Sequence, residues 1–226
     1  VGGLAGDALT TGSYNTVLGY TALGTEDTGT RNVAIGYAAL NKLNYNGSGN
    51  NVAIGMEAAK EVTTGIQNTI IGAFAAKSGT NDLTTGNNNI ILGYNAAASA
   101  ADVQNEITLG NSSIAALRCQ VTSISSLSDK RDKKDIKDST YGLDFVDSLK
   151  PVTFEWDQRD GNRSGVKDVG FIAQDLQEVD DEYTRLVYES NPDKLEATYG
   201  RLIPIMAKAI QELSAEVKEL KKQING

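Results

Sequence analysis

Short runs of alternating apolar and polar positions recur along the first half of the chain. In each run an asparagine, or a glutamate in the last run, is followed one and three residues later by side chains that are mostly apolar and branched. The clearest pairs are Val33/Ile35, Val52/Ile54, Ile90/Leu92 and Ile107/Leu109. A period of two is typical of a β-strand, so each run predicts a short strand with these side chains on one buried face.

These runs belong to a longer repeat of the form Asn-x-x-x-Gly-x-x-Ala. Complete copies lie at residues 15–22, 32–39, 51–58, 68–75 and 89–96, and a degenerate copy lies at 106–113. The glycines of the six copies are 17, 19, 17, 21 and 17 residues apart. A nearly constant period of this length predicts a parallel β-solenoid in which each repeat forms one coil.

The other repeated positions indicate how the coils turn and pack. The glycines suit tight turns because glycine tolerates positive φ, and the aligned alanines suit places where neighbouring coils approach closely. The stacked asparagines could form a ligand site. Turn chemistry is the favoured interpretation, since asparagine bonds its own backbone and adopts left-handed geometry. Such a narrow coil has little interior, so we expect the rod to associate laterally.

Residues 128–226 have fewer glycines and more charge than the repeats. Ser139 and the residue after it predict the cap of a helix that ends before Pro151. We expect Trp156 to anchor a small core. The predicted elements are a helix through Leu143, Val146 and Leu149, strands at 152–156 and 169–172, and a helix at 174–179.

The C-terminus has the clearest helical pattern. Apolar residues alternate at spacings of three and four, with charged residues between them, which predicts a coiled coil over about 200–225. These residues are Ile203, Met206, Ile210, Leu213, Val217, Leu220 and Ile224. The expected architecture is therefore a β-solenoid followed by a small α+β domain that ends in a coiled-coil helix.

The overall composition excludes several classes of function. The 29 acidic and 21 basic side chains leave a net charge of −8, which disfavours nucleic acid and anionic membranes as partners. The chain has no histidine, so Ser-His-Asp mechanisms and the usual zinc sites are ruled out, and no cofactor or metal is expected. One cysteine, Cys119, rules out an internal disulfide. No apolar run is long enough for membrane insertion, and a start without methionine or signal peptide indicates a piece of a longer protein.

The candidate chemistry lies in the charged strip at residues 126–136. Ser128 stands five residues before Lys133, and a serine with a neutral lysine is sufficient for nucleophilic attack on an amide. A lysine in water titrates at about pH 10.4, so a lysine base needs burial or nearby cations. The spacing does not place both groups on one helix face, so we expect a bend between them. The two residues could instead be a helix cap and a solvated charge. The nearby cations are Lys130, Arg131 and Lys134.

Four motifs in the second half of the chain stand in the order and spacing of a known family. They are Ser-Asp-Lys-Arg-Asp-Lys-Lys-Asp-Ile at 128–136, Leu-Lys-Pro-Val-Thr-Phe-Glu-Trp at 149–156, Gly-Phe-Ile-Ala-Gln-Asp at 170–175 and Tyr-Gly-Arg-Leu-Ile-Pro at 199–204. Together they resemble the intramolecular chaperone autoprocessing domain, the peptidase S74 family, which ends many bacteriophage tail fibres and tailspikes. The repeats resemble, more loosely, the heads of trimeric adhesins and the shafts of phage fibres.

The resemblance implies a homotrimer in which residues 128–226 help the shaft at 1–127 to fold and then release themselves. It implies cleavage at Leu127–Ser128, with Ser128 as the nucleophile and Lys133 as the base. It also implies a place in the virion tail after folding in the host cytoplasm, with the rest of the parent fibre and a host receptor or glycan as further partners. The alternative is a non-catalytic trimeric adhesin or fibre module in which the C-terminal domain only clamps three chains.

Overall fold

The chain folds as two compact units, Val1–Ala115 and Ala116–Gly226. The computed structural model describes residues 1–77, 79, 81–121, 123–159 and 161–225. None of the helices in these ranges is long and apolar enough to cross a membrane. The boundary expected at residue 127 marks the cleavage point implied by the resemblance, and it stays a prediction.

The first unit is a parallel β-solenoid. Six strands of three residues pair in sequence order, so that Val17 lies beside Ala34 and Ala34 beside Ala53. Each strand begins one residue after the first position of a repeat, which confirms the solenoid that the spacing predicts. The strands are β1 (Thr16–Leu18), β2 (Val33–Ile35), β3 (Val52–Ile54), β4 (Thr69–Ile71), β5 (Ile90–Leu92) and β6 (Ile107–Leu109).

Only the middle residue of each inner strand is buried inside the coil. The residues on either side of it are half-buried or exposed, because successive side chains of a strand point to opposite faces. Val33 and Ile35 therefore face outward, and the expectation that their side of the strand is buried is wrong for a single chain. The buried middle residues are Ala34, Ala53, Ile70 and Ile91.

The rest of the solenoid interior is filled by small and medium apolar side chains. The aligned alanines of the repeats are fully buried, as expected for positions of close coil contact. Glu26 stands three residues before Gly29, where later coils have a buried valine or leucine three residues before the corresponding glycine. Its carboxylate accepts hydrogen bonds from the backbone N–H groups of Gly29 at 2.8 Å and Tyr45 at 3.1 Å, so this buried acid is satisfied by the backbone.

The stacked asparagines form a hydrogen-bonded ladder between coils. The side-chain oxygen of Asn51 accepts from the backbone N–H of Asn68 at 3.0 Å, and the Asn68 side-chain amide donates to the carbonyl of Gly86 at 2.8 Å. Asn89 repeats this pattern on Asn68. The residue before each of these asparagines takes the positive φ, so the expectation that each asparagine bonds its own backbone in a left-handed turn is wrong.

The second unit contains short elements and one long helix. A one-turn 3-10 helix at Lys130–Asp132 comes first, and a second at Tyr199–Arg201 leads into the long helix. The remaining elements are α1 (Leu143–Ser148), β7 (Val152–Glu155), β8 (Lys167–Gly170), α2 (Ala173–Gln177), β9 (Val187–Tyr188), β10 (Glu196–Ala197) and α3 (Leu202–Asn225). The strands β7 and β8 pair antiparallel, as do β9 and β10.

The core of the second unit does not include the tryptophan expected there. Leu176, Leu186, Leu202 and Ile205 form the buried centre. Trp156 lies half-buried beside the β7–β8 hairpin, where the Arg163 guanidinium is 4.8 Å from its ring centroid and its indole N–H donates to Asp168 at 3.2 Å. Trp156 therefore stabilises the hairpin.

A distant carboxylate, rather than a local hydroxyl, caps α1. Gly142 occupies the N-cap position and provides no side-chain cap. The Glu212 carboxylate of α3 accepts from the backbone N–H of Leu143 at 2.7 Å, which satisfies one of the free donors of the first turn. Ser139 bonds Tyr141 instead, so the cap expected at Ser139 is wrong.

Gly36 provides a test of how closely the coils stack. Its φ is +134°, and an added Cβ would lie 2.3 Å from the carbonyl oxygen of Gly55 in the next coil. We expect Gly36→Ala to lower the free energy of unfolding by about 3 kcal/mol or more, because a strained backbone is combined with a clash. Urea unfolding of the full chain measures this.

Gly79→Ala is the matched control. Gly79 also has a positive φ, of +86°, but a Cβ there would meet nothing within 4 Å. We expect a loss of only about 1 kcal/mol from the backbone conformation alone. Equal losses in the two variants would contradict the close stacking of coils at Gly36.

Candidate active site

A tight turn follows the serine singled out from the sequence. Asp129 is the N-cap of the 3-10 helix at Lys130–Asp132, and its carboxylate accepts the backbone N–H of Arg131 at 2.9 Å. The turn is closed by backbone bonds from Asp132 to Asp129 and from Lys133 to Lys130, both 3.2 Å long. Beyond it the backbone of Lys133 is extended, so the chain bends back toward Ser128, in agreement with the expected bend.

The bend brings a lysine side chain onto the serine hydroxyl. The Nζ atom of Lys133 lies 2.5 Å from the Oγ of Ser128 and 3.4 Å from the backbone oxygen of Ser128. Of the three lysines in the strip, Lys133 is the one with a described hydrogen bond to this serine. The helix cap is Asp129 and not Ser128, so the interpretation of Ser128 as a cap is wrong. The catalytic roles of Ser128 and Lys133, and the scissile bond Leu127–Ser128, stay predictions.

Two charged residues between Ser128 and Lys133 form an ion pair with each other. The Arg131 guanidinium binds the Asp129 carboxylate, with Nη2 2.6 Å from Oδ2. The side-chain and backbone hydrogen bonds from Arg131 hold the pKa of Asp129 below its usual value, and the same carboxylate raises the pKa of Arg131. Arg131, proposed from the sequence as a cation that acts on Lys133, is thus engaged by Asp129.

The site is open to water in a single chain. Every described residue from 113 to 140 is exposed, and the side chain of Leu127 is fully exposed. Among the described residues from 115 to 127, none makes a backbone hydrogen bond. The apolar side chains of this segment that lack cover are Leu117, Val121, Ile124 and Leu127. The segment ahead of the serine therefore has unpaired backbone groups and uncovered apolar side chains.

The acidic loop at 180–182 is a structural turn. The Asp180 carboxylate accepts from the Thr184 hydroxyl at 2.6 Å and from the Leu186 and Val187 backbone N–H groups at 2.7 and 3.1 Å. Partial burial opposes the charge, but these donors hold the pKa of Asp180 below its usual value. Within the described part of the chain, no group of three or more histidine, cysteine, aspartate and glutamate side chains could hold a metal ion.

A tyrosine near this loop is also held in its neutral form. The Tyr141 hydroxyl donates to the Asp181 carboxylate, and this hydrogen bond raises the pKa of Tyr141 to about 12. A phenol with so high a pKa is a poor general base at neutral pH. Ser128 and Lys133 differ from these groups in that a serine hydroxyl is in direct contact with a lysine amine.

Two residues with structural roles in the second unit escaped the sequence interpretation. Asp129 closes the turn between the proposed catalytic groups, and Glu212 caps α1 from α3. An aspartate followed two residues later by an arginine is a usable signal for the first, because aspartate caps turns readily. No local signal identifies the second, since Glu212 and Leu143 are far apart in the chain.

Comparison with known proteins gives one match. The model of the chaperone of endosialidase family, peptidase S74, matches residues 128–187. Among curated proteins and solved structures, none matches the chain. The match begins at Ser128 and confirms the resemblance over these residues, whereas the motif at 199–204 lies beyond them. Together with the β-solenoid that precedes it, the segment at 128–187 fits the C-terminal chaperone region of a bacteriophage tail fibre.

Proposed function

We propose that this chain is the C-terminal part of a trimeric phage tail fibre or spike that cuts itself. Residues 128–226 bring three chains together, help the shaft to fold and then leave by cleavage of Leu127–Ser128. The observation that carries the proposal is the 2.5 Å contact between Lys133 Nζ and Ser128 Oγ. It lies at the first residues of the segment that matches the chaperone of endosialidase family.

The outward face of the solenoid supports association of several chains. The third residues of the strands form an apolar column, and the first residues form a second column that is apolar at Val33, Val52, Ile90 and Ile107. The residue after the repeat glycine adds a third column, with exposed apolar side chains at Tyr20, Tyr37, Met56 and Tyr94. Tyr20 and Tyr37 of this third column stack with centroids 5.9 Å apart. A continuous apolar surface of this kind marks an interaction site, and a repeated face suits identical copies. Exposed members include Leu18, Tyr20, Tyr37, Met56, Ile71, Ile90, Tyr94, Ile107 and Leu109.

The long helix α3 supports the same conclusion. Leu202, Ile205 and Ala209 are buried in the second unit. All seven residues of the predicted heptad stripe are exposed, with values between 41% at Val217 and 81% at Ile224. The helix therefore presents an apolar stripe that its own chain does not cover, and α3 helices of other copies would cover it as a coiled coil.

The chemistry follows from the position of the nucleophile next to the bond it attacks. Ser128 Oγ gives its proton to the neutral amine of Lys133 and bonds to the carbonyl carbon of Leu127. The C–N bond of the peptide then breaks, and Lys133 returns the proton to the Ser128 nitrogen. The product is an ester that joins Leu127 to the Ser128 side chain. Water then hydrolyses this ester to a Leu127 carboxylate and restores the serine hydroxyl.

Assembly of several chains would bury Lys133, which is exposed in a single chain. A lysine exposed to water is protonated at neutral pH and cannot accept a proton. Burial between chains disfavours the ammonium form and frees the amine. The described residues from 115 to 127, which make no backbone hydrogen bond and include exposed apolar side chains, are available to pack against other copies and exclude water. Cleavage would therefore follow correct assembly.

A non-catalytic clamp is the second candidate function. The exposed faces of the solenoid and of α3 support it equally well, because they concern association and not chemistry. The contact of Lys133 with Ser128 is the feature that a clamp does not need. A place in the virion tail and contact with a host receptor or glycan stay predictions.

Replacement of the two reactive groups tests the proposal directly. We expect the wild-type chain to separate into residues 1–127 and 128–226, and Ser128→Ala to remain intact. Lys133→Ala should slow cleavage by about a hundredfold or more, which is the usual worth of a general base. Lys137→Ala, the control, removes an exposed lysine outside the strip at 126–136 and should cleave at close to the wild-type rate. Intact-mass spectra over time measure all four, and a wild-type trimer that stays whole would favour the clamp.

The ester intermediate provides an independent test of the route. Hydroxylamine attacks esters faster than peptide bonds, so its addition during assembly should release residues 1–127 with a hydroxamate at Leu127. Without hydroxylamine the same fragment should carry a free carboxylate. Mass spectrometry of the C-terminal peptide separates the two products. A hydroxamate formed equally by Ser128→Ala would contradict an ester on this serine.

The link between assembly and cleavage is tested on α3. Leu213→Asp places a charge on the exposed stripe and should abolish the trimer and slow cleavage by about tenfold or more. Ala215→Asp adds the same charge on a different exposed face of the helix and should leave both unchanged. Light scattering measures the oligomer and intact mass measures cleavage. Fast cleavage by a monomeric Leu213→Asp chain would separate the chemistry from assembly.

A further inference from the structure

The side chain of Asp129 closes the turn that separates Ser128 from Lys133. Its Oδ1 accepts the Arg131 backbone N–H at 2.9 Å, and both carboxylate oxygens lie 3.1 Å from Arg131 Nε. Arg131 Nη2 donates to Oδ2 at 2.6 Å. One carboxylate thus binds both the backbone and the side chain of the residue at the centre of the turn.

The turn is needed because the two reactive groups are far apart along the chain. Five residues in an extended conformation span about 17 Å, which is much more than a lysine and a serine side chain bridge. The 3-10 turn at Lys130–Asp132 shortens this path, and the extended backbone of Lys133 then directs its amine back to the Ser128 hydroxyl. The conformation of the turn therefore sets the distance between base and nucleophile.

We propose that Asp129, through the hydrogen bond that it accepts from the Arg131 backbone N–H, is a positioning residue that holds Lys133 against Ser128 for self-cleavage. The inference rests on the proposed function, since it concerns the same two reactive groups. Asp129 neither gives nor accepts the reacting proton. It acts by selecting the turn conformation in which the amine and the hydroxyl are in contact.

The effect is expected in the rate of cleavage rather than in global stability. An ion pair open to water contributes little to folding, and Asp129 and Arg131 are both exposed. Alignment of reacting groups, in contrast, has a large influence on rate. The hydrogen bonds from Arg131 lower the pKa of Asp129, so the stabilisation of the turn is present above the usual pKa of an aspartate and is lost only as the pH falls through the lower folded value. Asp129 therefore stays charged, and bound to Arg131, throughout the neutral pH range.

Three variants of the full chain separate positioning from other roles. Asp129→Ala removes the acceptor of the turn and should slow cleavage by about tenfold or more. Asp129→Asn keeps an oxygen for the Arg131 backbone N–H and should restore the rate to within about threefold of wild type. Asp138→Asn is the matched control, because Asp138 is exposed and has no described hydrogen bond or ion pair; it should cleave as the wild type does.

Cleavage is followed by intact mass, and the fraction of trimer is measured on the same samples by light scattering. Slow cleavage by trimeric Asp129→Ala together with rescue by Asp129→Asn supports positioning. Wild-type rates in Asp129→Ala, a loss of cleavage that parallels a loss of trimer, or no rescue by asparagine would each overturn it. These results leave the proposed function intact if Ser128→Ala still blocks cleavage, whereas a wild-type trimer that never cleaves overturns both.

Discussion

The width of the solenoid coil is the constraint on which the other features of this chain depend. Three-residue strands and glycines that touch the next backbone leave room inside for one strand side chain, which is alanine or isoleucine in the inner coils. The apolar residues on either side of it must then face outward. A column of apolar side chains in water is unfavourable, so the narrow coil creates a need for further copies of the chain.

In the proposed function, association with further copies of the chain is required both for folding of the shaft and for self-cleavage. The reactive pair lies in a segment that a single chain leaves open to water. Packing of this segment between assembled chains would remove water from it. Once the chaperone has left, unfolding of the shaft could not retrace the route by which it folded, and its persistence would become a matter of kinetics rather than of equilibrium.

Polar side chains that bind backbone groups organise both units. The asparagine ladder joins neighbouring coils, and Glu26 accepts hydrogen bonds from two backbone N–H groups inside the solenoid. Asp180 accepts hydrogen bonds from the backbone N–H groups of Leu186 and Val187 and so holds the loop before β9 in place. Glu212 performs the same task for the first turn of α1. In each place a side-chain oxygen meets N–H groups that regular secondary structure leaves without partners. Asp129 follows this pattern in the turn beside Ser128.

The sequence by itself determined the solenoid and the long C-terminal helix, and the resemblance to a known family singled out the two residues that meet in the site. A fixed repeat period and heptad spacing are properties of the local chain, and they transfer directly to strands and helix. Only the tertiary structure decided which strand side chains face inward, how the asparagines bond, where Trp156 packs and what caps α1. A period of two shows that each strand has two different faces, but it does not show which face lies inside the coil. That depends on how much space the folded coil leaves in its interior. The cap at Leu143 depends on a contact with α3, which no local pattern contains.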